Sequence, residues 1–184
     1  MNMRVAVLVG SLRKESINRK LAYALEKLAE GKLAFDHVDI AGLPLFNQDH
    51  EREYPPPAKK MKEQIAAADG VLFVTPEYNR SVPGVLKNAI DIASRPYGSS
   101  AFAGKPGAVI GTSQGAIGTA LAQQHLRNIC VFLDVPMLQQ PEPFVRYKEG
   151  LIAEDGSVTD EDVRKFLRNF IDRYIAWVTR FARA

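Results

Sequence analysis

Val5-Ala6-Val7-Leu8-Val9-Gly10-Ser11-Leu12-Arg13-Lys14-Glu15-Ser16-Ile17-Asn18 carries the first clear structural signal in this chain. Five consecutive apolar residues, three of them valine, suit a strand covered on both faces. Gly10 ends the run. A polar, basic loop follows, and then Ile17, Leu21, Leu25 and Leu28 recur at helical spacing. A buried strand, a short loop and a helix make the first half of a β-α-β unit.

The alternation repeats along the chain. Leu33 to Ile40 reads as a second strand. A charged stretch from Asp49 to Glu53 and the cluster Pro55, Pro56 and Pro57 form a loop into a helix marked by Met61, Ile65 and Ala68. Val71 to Val74 is a third strand, and Val85, Ala89 and Ile92 mark a helix. Ala108 to Ile110 is a fourth strand, Ile117 to Leu133 is helical, and Val135 to Leu138 is the expected fifth strand. Thr159 is the expected cap of a last helix with Asp160, Glu161 and Asp162 in its positive first turn. Its apolar stripe runs through Val163, Phe166, Leu167, Phe170, Ile171, Tyr174 and Val178, with Arg173, Arg180 and Arg183 on a solvated face. Such alternation predicts an α/β, doubly wound, five-stranded parallel sheet with helices on both faces. Five strands favour the flavodoxin-like order 2-1-3-4-5, with residues 1–184 as one domain.

Composition narrows the function. Lysine and arginine number 24 against 21 aspartates and glutamates, a net charge of +3 that makes neither a nucleic-acid groove nor a membrane patch. The single cysteine, Cys130, excludes an intrachain disulfide framework and a cysteine-rich zinc site. His37, His50 and His125 are scattered without metal-ligand spacing. The apolar run near the N-terminus is too short for a signal core or a membrane span, so a reducing, cytoplasmic setting is expected.

Ligands of doubly wound sheets bind beyond the carboxyl ends of the strands, which directs attention to the loops after strands 1, 3 and 4. In the first, Ser11, Ser16 and Asn18 offer side-chain donors and Arg13 a guanidinium, beside helix amides that carry partial positive charge. That set suits a phosphate monoester, and helix capping by Ser16 or Asn18 is the plainer alternative. Neither GxxxxGK[ST] nor GxGxxG is present. The second loop, Thr75-Pro76-Glu77-Tyr78-Asn79-Arg80-Ser81-Val82-Pro83-Gly84, is stiffened by prolines and presents the Tyr78 ring. Its backbone can read the edge of a heterocycle, while local turns at Asn79 or Ser81 are the simpler reading. The third, Gly111-Thr112-Ser113-Gln114-Gly115, fits G-x-S-x-G, the nucleophile elbow of hydrolases. Residues 114–124 contain no acid, however, and the one later histidine, His125, falls in the next helix, too near to complete a triad. A loop of small residues that a flat ring approaches closely is the better reading. The run Asn128-Ile129-Cys130-Val131-Phe132-Leu133 holds no basic or histidine residue to activate Cys130, which reads as a buried structural thiol.

These loops resemble the NADPH-dependent FMN reductase family of the flavodoxin-like superfamily, and most closely its chromate/quinone reductase branch. The likeness rests on Gly10 to Asn18, on Thr75-Pro76-Glu77-Tyr78-Asn79, and on Ser81-Val82-Pro83-Gly84 with Leu86-Lys87-Asn88-Ala89-Ile90-Asp91. Leu43-Pro44-Leu45-Phe46-Asn47, Ala103-Gly104-Lys105-Pro106 and the Ser113 loop extend it, over about Arg4 to Glu142. The resemblance implies bound FMN, with NAD(P)H as hydride donor and quinones, flavins, azo or nitro compounds or chromate as acceptors. It implies that Ser11, Arg13, Ser16, Ile17 and Asn18 hold the FMN phosphate, partly through backbone amides. Pro76, Glu77, Tyr78, Asn79 and Arg80 would frame the isoalloxazine, and Ser113, Gln114 and Gly115 would meet its other edge. It also implies a homodimer or homotetramer, with the 118–133 helix and the 94–103 loop, including Tyr97, at the subunit boundary. The rival classes are a flavodoxin-type electron carrier without NAD(P)H activity, which tends to be acidic, and a scaffold that has lost its cofactor.

Overall fold

The computed structural model describes residues 3–182, so Arg183 lies outside the described residues. The elements run β1 (Met3–Val9), α1 (Ile17–Ala29), β2 (Leu33–Val38), α2 (Pro56–Ala66), β3 (Gly70–Val74), α3 (Gly84–Ala93), β4 (Gly107–Ser113), α4 (Ala120–Phe132), β5 (Phe144–Arg146) and α5 (Glu161–Ala182). One turn of 3-10 helix, Gln48–His50, lies between β2 and α2. The strands form one parallel sheet in the order β2-β1-β3-β4-β5.

Strand alternation sends side chains to two cores. Ala6 and Leu8 of β1, with Val71 and Phe73 of β3, face the layer of α2, α3 and α4. Val5, Val7, Leu72 and Val74 face α1 and α5. Both sets are fully buried, which is why these strands read as unbroken apolar runs. Helix α5 lays down Leu167, Phe170, Ile171, Tyr174 and Val178 at helical spacing, all buried. Removing a ring such as Phe73 would cost about 3–5 kcal/mol, since it is wholly enclosed.

Three expectations are corrected. The fifth strand is Phe144–Arg146, which pairs with Gly111–Ser113, whereas residues 135–138 meet the sheet at one bridge, Met137 to Gly107. Val135, Met137 and Leu138 are buried because they cover the start of β4, where Gly107 leaves the room: a Cβ there would lie 2.6 Å from Met137 Sδ. Pro141 and Pro143 then interrupt the edge, since they have no N–H for a ladder. The helix expected from Ile117 begins at Ala120, because Gly118 takes a left-handed turn (φ 69°) against the Phe144 backbone. Asp160, and not Thr159, caps α5: its carboxylate accepts from the N–H groups of Asp162 and Val163 at 3.1 and 3.0 Å. The Thr159 hydroxyl donates instead to Gly150 O at 2.8 Å.

Candidate active site

The carboxyl ends of β1, β3 and β4 open into one cleft of about 220 Å³. Ser11, Arg13, Ser16, Ile17 and Asn18 line it from the first loop, Pro76, Glu77 and Tyr78 from the second, and Ser113 and Gln114 from the third. Thr112, unmarked in the sequence reading, is the further lining residue. Asn79, Arg80 and Gly115 fall outside the lining. Larger hollows of about 460 and 480 Å³ lie beside Ile152–Gly156 and between α2 and the end of β2, but neither gathers the sheet's carboxyl ends.

One end of the cleft is built for an anion. Ser16 caps α1 and accepts from Arg19 N–H at 3.2 Å, so its capping role is real. The remaining first-turn amides of α1 have no intrahelical partners, and no acidic side chain occupies that turn. Ser11 and Ser16 are nearly buried, whereas Arg13 is exposed and makes no ion pair among the described residues. Asn18 is different from the sequence reading. Its side chain is 1% exposed and bonds Thr112 twice, Nδ2 donating to Thr112 O at 2.9 Å and Oδ1 accepting from Thr112 N–H at 3.0 Å. That amide ties the start of α1 to the end of β4, leaving Asn18's backbone N–H and second amide hydrogen for any ligand.

The other end is aromatic and rigid. Tyr78 is 47% exposed beside Pro76. Tyr78 and Ser81 exchange backbone hydrogen bonds of 3.1 and 3.0 Å around Asn79 and Arg80, both left-handed at φ 50° and 61°. This is the two-residue, type I′ kind of hairpin, which asparagine accepts readily. Glu77 faces the protein: its Oε2 accepts from Leu121 N–H at 2.9 Å and Ala122 N–H at 3.1 Å, capping α4, whose own Thr119 gives no side-chain cap. Ser81 Oγ stands 2.9 Å from His125 Nδ1. Sequence reading missed both links. The sequence carried no signal for either, since Thr119 at the start of α4 is itself a capping type of residue and only the fold shows that it does not cap.

The floor between the loops is close-packed. A Cβ on Gly111 would sit 2.0 Å from Thr75 O, and one on Gly10 would touch Leu86 and Pro76. Ser113 Oγ donates to Gly118 O and is 3.4 Å from Gly115 O, so it serves its own loop. His125 turns to Ser81, and the hydrolase triad is not assembled. Cys130 is fully buried on α4, and burial pushes its thiol up to about 12, far from a reactive thiolate.

A helix start with free amides and no acidic side chain in its first turn, an aromatic wall and a glycine floor at the switch point of a 2-1-3-4-5 sheet define the class: a flavodoxin-like protein with a cleft across its strand ends. The donor set, hydroxyls and helix amides at one end and the Tyr78 ring at the other, fits FMN. The model of the NADPH-dependent FMN reductase family matches residues 3–150, and the chain belongs to that family. It is 56% identical over 178 residues to a 2-hydroxy-1,4-benzoquinone reductase of a Burkholderia species, covering 97% of each chain. It is 53% identical over 175 residues to a quinone reductase of Pseudomonas putida, covering 95% of this chain and 94% of the other. The solved structure of FerB, a flavoenzyme NAD(P)H:(acceptor) oxidoreductase from Paracoccus denitrificans, superposes with a TM-score of 0.94 at 48% identity, over 97% of this chain and 98% of the other. The protein is thus an FMN-dependent NAD(P)H oxidoreductase.

Proposed function

We propose that this enzyme holds FMN in the three-loop cleft and reduces quinones with NAD(P)H, the whole chain serving as one FMN-binding domain. The observation that carries the proposal is the convergence of an anion-binding helix start and an aromatic hairpin on one cleft at the carboxyl ends of β1, β3 and β4. FMN, when bound, would supply the hydride chemistry at its N5 that links the nicotinamide to the acceptor. The protein supplies binding, orientation and the field around the ring. Ser11, Ser16 and the amides of Ile17 and Asn18 would bind the phosphate, with Arg13 adding charge from the rim. Pro76, Tyr78 and the peptide groups through Asn79 and Arg80 would frame the ring, with Ser113, Gln114 and Gly115 at its far edge. Glu77 would act indirectly, by holding that loop on α4. The quinone as acceptor is supported by the names of the two bacterial relatives. Flavins, azo and nitro compounds and chromate are further acceptors to test.

We further propose a homodimer or homotetramer. Tyr97, Val131 and Phe132 are 84%, 80% and 73% exposed, and they lie on the 94–103 loop and the last turn of α4. Large apolar groups this exposed suit surfaces covered by another copy of the chain. Among the described residues no helix is long and apolar enough to cross a membrane. A cytoplasmic setting is proposed with it, and the single buried thiol, Cys130, is compatible with a reducing compartment.

The test is an absorption spectrum of the protein loaded with FMN and freed of excess, repeated after anaerobic NADPH. A retained two-banded spectrum that bleaches, and recovers on adding a benzoquinone, is expected. Flavin retained but not bleached by NADPH or NADH would make the protein an electron carrier. Loss of flavin would remove the cleft from consideration.

A further inference from the structure

The hairpin that carries Tyr78 is fastened to α4 at both ends. Before the turn, the Glu77 carboxylate accepts from Leu121 and Ala122 N–H. After it, Ser81 Oγ meets His125 Nδ1 at 2.9 Å. Leu121 and His125 are four residues apart on α4, so the two fastenings sit one helical turn from each other on the same side. Between them lies a turn in which Arg80, a residue with a Cβ, is held at φ 61°. Backbone of that kind persists where its surroundings over-determine it, and it gathers at ligand sites. A serine hydroxyl both donates and accepts, so the Ser81 link is available to either tautomer of His125. His125 lies outside the cleft lining, and among the described residues the Ser81 link is the hydrogen bond its ring makes.

We propose that His125 is a positioning residue for the flavin ring: through Ser81 it fixes the Tyr78–Ser81 hairpin, and with Glu77 it makes the ring end of the cleft rigid before the cofactor arrives. This rests on the flavin reading above. A preformed wall binds without the cost of ordering a loop, so loosening it weakens affinity for the ring and leaves the phosphate contacts as they were.

Four variants of the full chain test this: His125→Ala, Ser81→Ala, the double variant and His125→Asn, each stripped of flavin and titrated with FMN and with riboflavin by fluorescence quenching. Loss of one hydrogen-bonded anchor is expected to weaken both ligands alike, by about 5- to 10-fold. The double variant is expected to be no worse than either single one, because the two side chains form one link. Asn places a hydrogen-bonding atom near the position of Nδ1 and is expected to restore affinity to within about threefold. The visible circular dichroism of FMN bound at saturation is expected to change in the Ala variants and return in His125→Asn. Losses that multiply in the double variant, losses for FMN but not riboflavin, or wild-type affinity and dichroism throughout would each overturn the proposal. A wild-type protein that binds neither ligand sinks the flavin reading and the clamp together. A wild type that binds both, beside a His125→Ala that binds them equally well, sinks only the clamp.

Discussion

Replacing Gly111 by alanine is the sharpest test of how the cleft is built. The added methyl would lie 2.0 Å from Thr75 O and 2.2 Å from Thr119 Oγ1. The threonine side chain can turn away, but Thr75 O belongs to the backbone at the end of β3. To reach ordinary contact, the two strand ends must part by more than about 1 Å in a core packed to crystal density. The bond from Thr75 N–H to Ile110 O, now 2.9 Å, would be stretched or lost. A buried donor left unpaired costs about 1–3 kcal/mol, and overpacking about the same again, so a loss of about 2–6 kcal/mol is expected. For a chain of this size that corresponds to a fall in Tm of about 4–24 °C. The assay is thermal and urea unfolding of the flavin-free protein, with FMN titration of the surviving fold. Gly115→Ala is the control: its methyl would meet only Ser113 Oγ at 3.6 Å, so stability should stay within about 0.5 kcal/mol. If Gly115 stands at the far edge of the ring as proposed, FMN affinity should nevertheless fall in that control. Equal melting of the two alanine variants, with unchanged flavin affinity in both, would refute the reasoning about the glycine floor.

Other expectations follow from individual contacts. Arg13→Ala should weaken FMN about tenfold and riboflavin hardly at all, the value of one exposed charge-assisted hydrogen bond; parallel titrations that show equal losses would remove Arg13 from the phosphate site. Asn18→Ala strands the N–H and C=O of Thr112 in a buried place, and urea unfolding should register a loss of about 2–5 kcal/mol. The Cys130 thiol, held near 12 in the folded protein against about 9 when unfolded, should resist alkylation at pH 8 until denaturant is added. Because only the unfolded chain releases that proton between those values, Cys130's contribution to stability is complete below pH 9 and is lost as pH rises toward 12. A native-state alkylation rate like that of a free thiol would contradict its burial.

The sequence by itself determined the layered α/β plan and the addresses of the chemistry. Strands covered on both faces must be apolar at every position, and helices covered on one face must repeat at helical spacing. Both patterns are local, so Val5 to Val9, Val71 to Val74 and the stripe of α5 were legible without any knowledge of their neighbours. Strand ends in such a sheet are binding positions, and the three loops there meet in one cleft. Tertiary structure alone decided everything that depends on a partner distant in sequence. Val135 to Leu138 is as apolar as a strand because it covers Gly107, while the pairing strand at Phe144–Arg146 is short and buries only Val145. Asn18 offers a donor in the sequence, and only the fold shows its amide bonded to Thr112, 94 residues away. Glu77 was a ring contact by resemblance and His125 one of three scattered histidines, and each joins the hairpin to α4 across 44 residues. A hydrogen bond leaves no periodic trace in the chain, so its partner becomes visible only when the fold brings the two groups together.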